Sequence, residues 1–73
     1  MGTYREREGS YEFEGKIEFV TAKAYLVNPT MGPAQIWVPK SQIIDVSEAD
    51  PDGNVMFQVT EWWMNNSEMK DWK

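Results

Sequence analysis

Tyr11-Glu12-Phe13-Glu14-Gly15-Lys16-Ile17-Glu18-Phe19 alternates with period two: Tyr11, Phe13, Gly15, Ile17 and Phe19 fall on one side, and Glu12, Glu14, Lys16 and Glu18 on the other. Successive side chains of an extended chain point to opposite faces, so this pattern specifies a strand with one buried and one solvated face. The alternation then slips to Ala22, Ala24 and Leu26, which predicts a bulge or tight turn near Val20–Lys23. Gly15, inside an otherwise continuous strand, marks a sharp bend of the kind a small barrel needs where one strand turns a corner.

Downstream, Pro and Gly punctuate the chain. Asn28-Pro29-Thr30-Met31-Gly32-Pro33 reads as a turn. Gln35-Ile36-Trp37-Val38 reads as a short strand stopped by Pro39, which has no N–H to donate to a ladder. Ser41–Val46 reads as another, with Ile43 and Ile44 on opposite faces, and Asp50-Pro51-Asp52-Gly53-Asn54 as a tight connection. Val55–Val59 follows, with Val55, Phe57 and Val59 together. Five short strands separated by turns predict a mainly β fold, a small barrel or sandwich. Thr60 is placed to cap a helix starting at Glu61, with Trp62, Met69 and Trp72 on one stripe. Asn65-Asn66-Ser67 is poor helix material, so that helix is expected to be short or broken. The expected organisation is a polar segment over residues 1–10, a β domain over 11–60 and a C-terminal helix over 61–73 packed on it.

Composition narrows the function. The 73 residues make one domain, and they include neither cysteine nor histidine, so disulfides, thiolate zinc sites and the commonest general base are all absent. No cofactor or metal is expected. A net charge of −5, from twelve acidic and seven basic residues, does not favour non-specific attraction to phosphate backbones or anionic lipid. No apolar run approaches the ~20 residues of a membrane span, and no signal-peptide core is evident at the N-terminus, so a cytoplasmic protein is expected. So small a core supplies little net stability and usually has a staple. With the usual staples missing, self-association into a homo-oligomer is expected.

The stretch Trp37-Val38-Pro39-Lys40-Ser41-Gln42 is the most distinctive candidate site. On a binding reading Trp37 stacks on a base, Lys40 meets phosphate, and Ser41 and Gln42 hydrogen-bond. On a structural reading Trp37 fills the mouth of a barrel, Pro39 ends the strand and Ser41 caps the turn. Tyr25, Trp37, Trp62 and Trp63 form an aromatic set too large to hide in a core of this size. Adjacent Trp62 and Trp63 cannot both face inward from a helix, so at least one of them belongs to the surface or to an oligomer or partner interface. Asp50–Asn54 lacks the spacing and downstream Glu of a calcium loop and reads as a plain turn. Glu12, Glu14 and Glu18 form an acidic strand face, either simply solvated or resembling the charge repeat of a nucleic acid. Nothing supplies a desolvated acid–base pair, and a chain of this size has little room for a cleft of ~300 Å³, so an enzyme is not expected.

Lys23-Ala24-Tyr25-Leu26-Val27, then Ile36-Trp37-Val38-Pro39-Lys40-Ser41-Gln42-Ile43, then Val59-Thr60-Glu61-Trp62-Trp63 resemble a group of short phage-encoded proteins, including those of marine and cyanobacterial phages. These carry a Trp-aliphatic-Pro-Lys-Ser-Gln box followed by a strand and a Trp-bearing terminal helix, and the likeness spans roughly residues 16–64. Some small phage β-barrels of this kind resemble Sm folds, five-stranded bent barrels that assemble into rings on single-stranded RNA or DNA. The helix here follows the barrel, whereas in Sm proteins it usually precedes it. The Sm sequence motifs are not evident, so the resemblance implies a phage source and a small barrel and only hints at nucleic acid. The leading expectation is a five-stranded SH3-like or Sm-like barrel that binds single-stranded nucleic acid without catalysis. Trp37 and Tyr25 would stack, Lys40, Lys23 and Lys16 would meet phosphates, and Gln42 would hydrogen-bond. The alternative is a phage protein that modulates a host protein through Trp62 or Trp63 and the acidic face.

Overall fold

The computed structural model describes residues 5–7, as backbone, and residues 9–71. Strands β1 (Arg5–Arg7), β2 (Ser10–Val20), β3 (Ala24–Pro29) and β4 (Ile36–Pro39) lead into a 3-10 turn at Lys40–Gln42. Strands β5 (Ile43–Val46) and β6 (Asn54–Thr60) follow, then helix α1 (Glu61–Asn66) and a second 3-10 turn at Glu68–Asp71. The fold is mainly β: one antiparallel sheet in the order β4-β3-β2-β6-β5, with β1 paired to the start of β2. The polar N-terminal segment thus contributes a strand, Arg5 opposite Glu12 and Arg7 opposite Ser10. None of the helices among the described residues is long and apolar enough to cross a membrane.

The 11-residue β2 organises everything else. Over Ser10–Lys16 it pairs with β6, while its other side pairs with β1 at Ser10–Glu12 and with β3 from Gly15 onward. Gly15 stands at that changeover. A Cβ there would meet Val27 Cγ1 at 2.7 Å, and the Asn28 carbonyl oxygen and Pro29 Cα at 3.0 Å. The glycine is required by close backbone approach, consistent with the bend read from the sequence.

The two outermost strands of the path, β4 and β5, are consecutive in the chain. Laid flat, five strands at ~4.8 Å spacing would separate them by about 19 Å. Only Lys40–Gln42 lies between them, and a 3-10 turn advances about 2 Å per residue, so the sheet has to curl on itself. No backbone ladder joins β4 to β5, and the sheet remains unclosed.

The concave face holds the core: Phe13, Val27, Ile36, Val38, Val55, Phe57 and Val59. Phe13 and Phe57 are direct cross-strand partners, their rings stacked at 5.3 Å, and Tyr25 meets Phe57 edge-on at 5.9 Å. Helix α1 covers the β2 and β6 end of this core. Thr60 caps it as expected, its Oγ1 accepting the Trp63 N–H at 3.1 Å and donating to Gln42 Oε1 at 2.6 Å. The buried residues here are Trp63, Met64 and Met69, with Trp63 stacked 6.2 Å from Phe13. This corrects the expected Trp62–Met69–Trp72 stripe: the helix ends at Asn66, so Met69 comes from a separate turn, and Trp72 lies outside the described residues. The break follows the Asn65-Asn66-Ser67 signal.

Three further readings need correction. β3 runs on through Asn28 and Pro29, which were read as turn. Its buried residues are Val27 and Pro29, with Tyr25 half-buried, rather than the Ala22, Ala24 and Leu26 set. The strand expected from Ser41 begins at Ile43, because Lys40–Gln42 wind into the 3-10 turn that joins the sheet edges. Asp50–Asn54 is a turn: Asp50 Oδ1 accepts the N–H groups of Asp52 and Asn54, both at 2.9 Å, and Gly53 adopts φ +87°.

Candidate nucleic-acid interface

The convex face of β2, β3 and β4 carries apolar side chains that the core does not use. Their placement starts from a bulge. Ile17 pairs with Val27, but Phe19 pairs with Leu26, so Glu18 is the extra residue. That one-residue shift moves every later side chain of β2 to the opposite face. Phe19, which uninterrupted alternation puts inside with Ile17, is therefore outside and 60% exposed. Leu26 pairs in turn with Trp37, which is 49% exposed between the buried Ile36 and Val38. Phe19, Leu26 and Trp37 form one row across three strands, its Cα atoms spanning roughly 10 Å. Trp37 thus sits on the convex surface and does not fill a barrel mouth.

Two residues along β3 from Leu26, on the same face, lies a polar row. Lys16 pairs with Asn28 on one side and with Asn54 on the other. Together with Pro29 and Thr30 these side chains line an open depression of about 370 Å³. That is larger than the chain length alone led one to expect. Glu14 borders it, its Oε1 accepting from the Thr30 hydroxyl at 3.0 Å.

The other sequence candidates separate from this face. Tyr25 is half-buried, edge-on to Phe57, with Lys40 Nζ 5.1 Å from its ring centroid. The Lys40 N–H donates to the Lys23 carbonyl at 2.8 Å, which holds the 3-10 turn against the β2–β3 reversal and brings both lysines to one end of the sheet. Gln42 spends its carbonyl oxygen on Thr60. Trp63 is buried at 6% exposure and withdrawn from the surface, while its neighbour Trp62 is 64% exposed on α1.

Charge follows the same division. Residues 15–44 carry Lys16, Lys23 and Lys40 against Glu18 alone, a net +2, so the rest of the chain bears −7 of the total −5. Among the described residues no ion pair occupies these three lysines. Glu12 lies between β1 and β6, Glu14 borders the Lys16 depression through Thr30, and Asp45, Glu48, Asp50 and Asp52 lie on β5 and the loop after it. No cluster of three metal-ligating side chains occurs among the described residues.

Phe19 and Leu26 are absent from the sequence candidates because the slip in alternation points to Val20–Lys23, where the chain reverses, while the bulge that turns Phe19 outward falls earlier, at Glu18. Asn28 and Asn54 were missed because only strand register puts them beside Lys16. The chain matches no family model, no curated protein and no solved structure.

Proposed function

We propose that this chain is a non-enzymatic binding module for single-stranded nucleic acid, a small SH3-like or Sm-like barrel acting as a homo-oligomer. The observation that carries the reading is the apolar row Phe19–Leu26–Trp37, in cross-strand register with Phe19 and Trp37 exposed, on the net-positive part of an acidic chain. Aromatic side chains on a sheet face stack bases without reading sequence, and each stacked base contributes about 1–3 kcal/mol. Lys16, Lys23 and Lys40 supply the phosphate contacts. The barrel is supported by the curl that the three-residue link between the edge strands imposes. Self-association is supported by Trp62, too exposed for a residue of its size to serve only the monomer. Several copies would repeat a modest basic patch, and avidity offsets the unfavourable net charge.

The test is an anisotropy titration of labelled single-stranded DNA and RNA at several salt concentrations, with the oligomeric mass measured alongside. With three lysine contacts per protomer, log K is expected to fall with log salt at a slope of roughly −2 per protomer. Absence of binding at low salt would reject the proposal and turn attention to a host-protein partner at Trp62 and the acidic face.

A further inference from the structure

The depression around Lys16 lies on the same convex face as the aromatic row, yet its chemistry is different. It presents one ammonium, two carboxamides and a hydroxyl, with the buried Pro29 also in its lining. Lys16 is its one charged lining group and has no ion-pair partner among the described residues. A volume of about 370 Å³ is far more than a single inorganic anion fills and falls at the small end of the ~300–1,000 Å³ range of ligand sites. The polar row stands two residues from the aromatic row along β3, about 7 Å away, wider than the 3.4 Å rise of a stacked strand and matched to adjacent nucleotides of an extended, unstacked one.

We infer that this depression is a mononucleotide subsite. Lys16 Nζ holds the phosphate, and the carboxamides of Asn28 and Asn54 hydrogen-bond the sugar or base edge of the same nucleotide. A neighbouring nucleotide stacks on Phe19, Leu26 and Trp37. The inference rests on the nucleic-acid reading above and makes it specific: full affinity needs two adjacent nucleotides, one on each row. It also fixes a sign. The Glu14 carboxylate, tethered by Thr30 at the border, opposes a phosphate on Lys16, so neutralising it strengthens binding.

The experiment is an NMR titration of the labelled chain with uridine 5′-monophosphate, with uridine and with inorganic phosphate, repeated on Lys16→Gln and Glu14→Gln. Saturable shifts of the Asn28 and Asn54 side-chain amides are expected with the monophosphate and not with uridine. Lys16→Gln should abolish them and reduce the salt slope for a single-stranded octanucleotide by about one. Glu14→Gln should tighten monophosphate binding about two- to fivefold, the size of a surface charge interaction. Equal shifts from uridine and its monophosphate, or none at millimolar ligand, would overturn the subsite. If the octanucleotide then still binds through Trp37, the subsite alone is wrong. If the monophosphate binds and the octanucleotide binds no better, the subsite stands and the single-strand reading falls.

Discussion

Strands β2, β3 and β4 carry apolar side chains on both faces, and the two faces differ in burial. On the concave side Phe13, Val27 and Val38 are fully buried and meet Phe57, Met64 and Met69 from the rest of the chain. On the convex side Phe19, Leu26 and Trp37 stand in equally good register, yet Phe19 and Trp37 keep about half or more of their surface in solvent. Burial stabilises by about 25 cal/mol per Å² of apolar surface, a gain that the exposed rings of the second set largely forgo. The proposed binding would give these exposed rings a role outside the monomer's own folding.

That contrast breaks first, and hardest, at the core. Phe57→Ala removes the ring against which Phe13 stacks and Tyr25 rests, and should cost about 3–5 kcal/mol. A domain of this size has about that much to lose, so circular dichroism should find the variant largely unfolded. Gly15→Ala is next. Its new Cβ would press on Val27 and on backbone of Asn28 and Pro29 that cannot rotate away, and urea denaturation should register a loss of about 1–3 kcal/mol. Thr60→Ala removes the cap of α1 and the donor to Gln42, and should cost about 1 kcal/mol, restored by Thr60→Ser. Smallest is Trp37→Ser, expected within about 0.5 kcal/mol of the parent in the same denaturation experiment. A loss of several kcal/mol there would mean that the convex row is structural after all.

The sequence disclosed the concave face better than the convex one. Alternation from Tyr11 to Ile17 identified the core side of β2, the turn chemistry of Asp50–Asn54 and the Thr60 cap needed no tertiary information, and one of two adjacent tryptophans had to point out. Which one points out depends on where the helix meets the sheet: Trp63 packs against Phe13, leaving Trp62 in solvent. Phe19 departs from its expected face because the slip legible at Val20–Lys23 marks the strand reversal, while the separate bulge at Glu18 is fixed only by pairing with β3. Lys16, Asn28 and Asn54 are 12 to 38 residues apart in the chain and become neighbours only through register. Trp37 and Lys40 are legible in the sequence as candidates for the proposed site, whereas the attachment of Gln42 to Thr60 requires the 3-10 turn that brings the sheet's two edges together.

The central claim is that the convex face of β2–β4 is the surface that binds single-stranded nucleic acid. It is tested most directly by comparing Trp37→Ser with Trp62→Ser in octanucleotide affinity at low salt, both variants shown to be folded. The account predicts that Trp37→Ser weakens binding at least about fivefold, the lower end of one lost base stack, while Trp62→Ser leaves each protomer's intrinsic affinity unchanged. Unaltered affinity in Trp37→Ser, or a loss confined to Trp62→Ser, would contradict it.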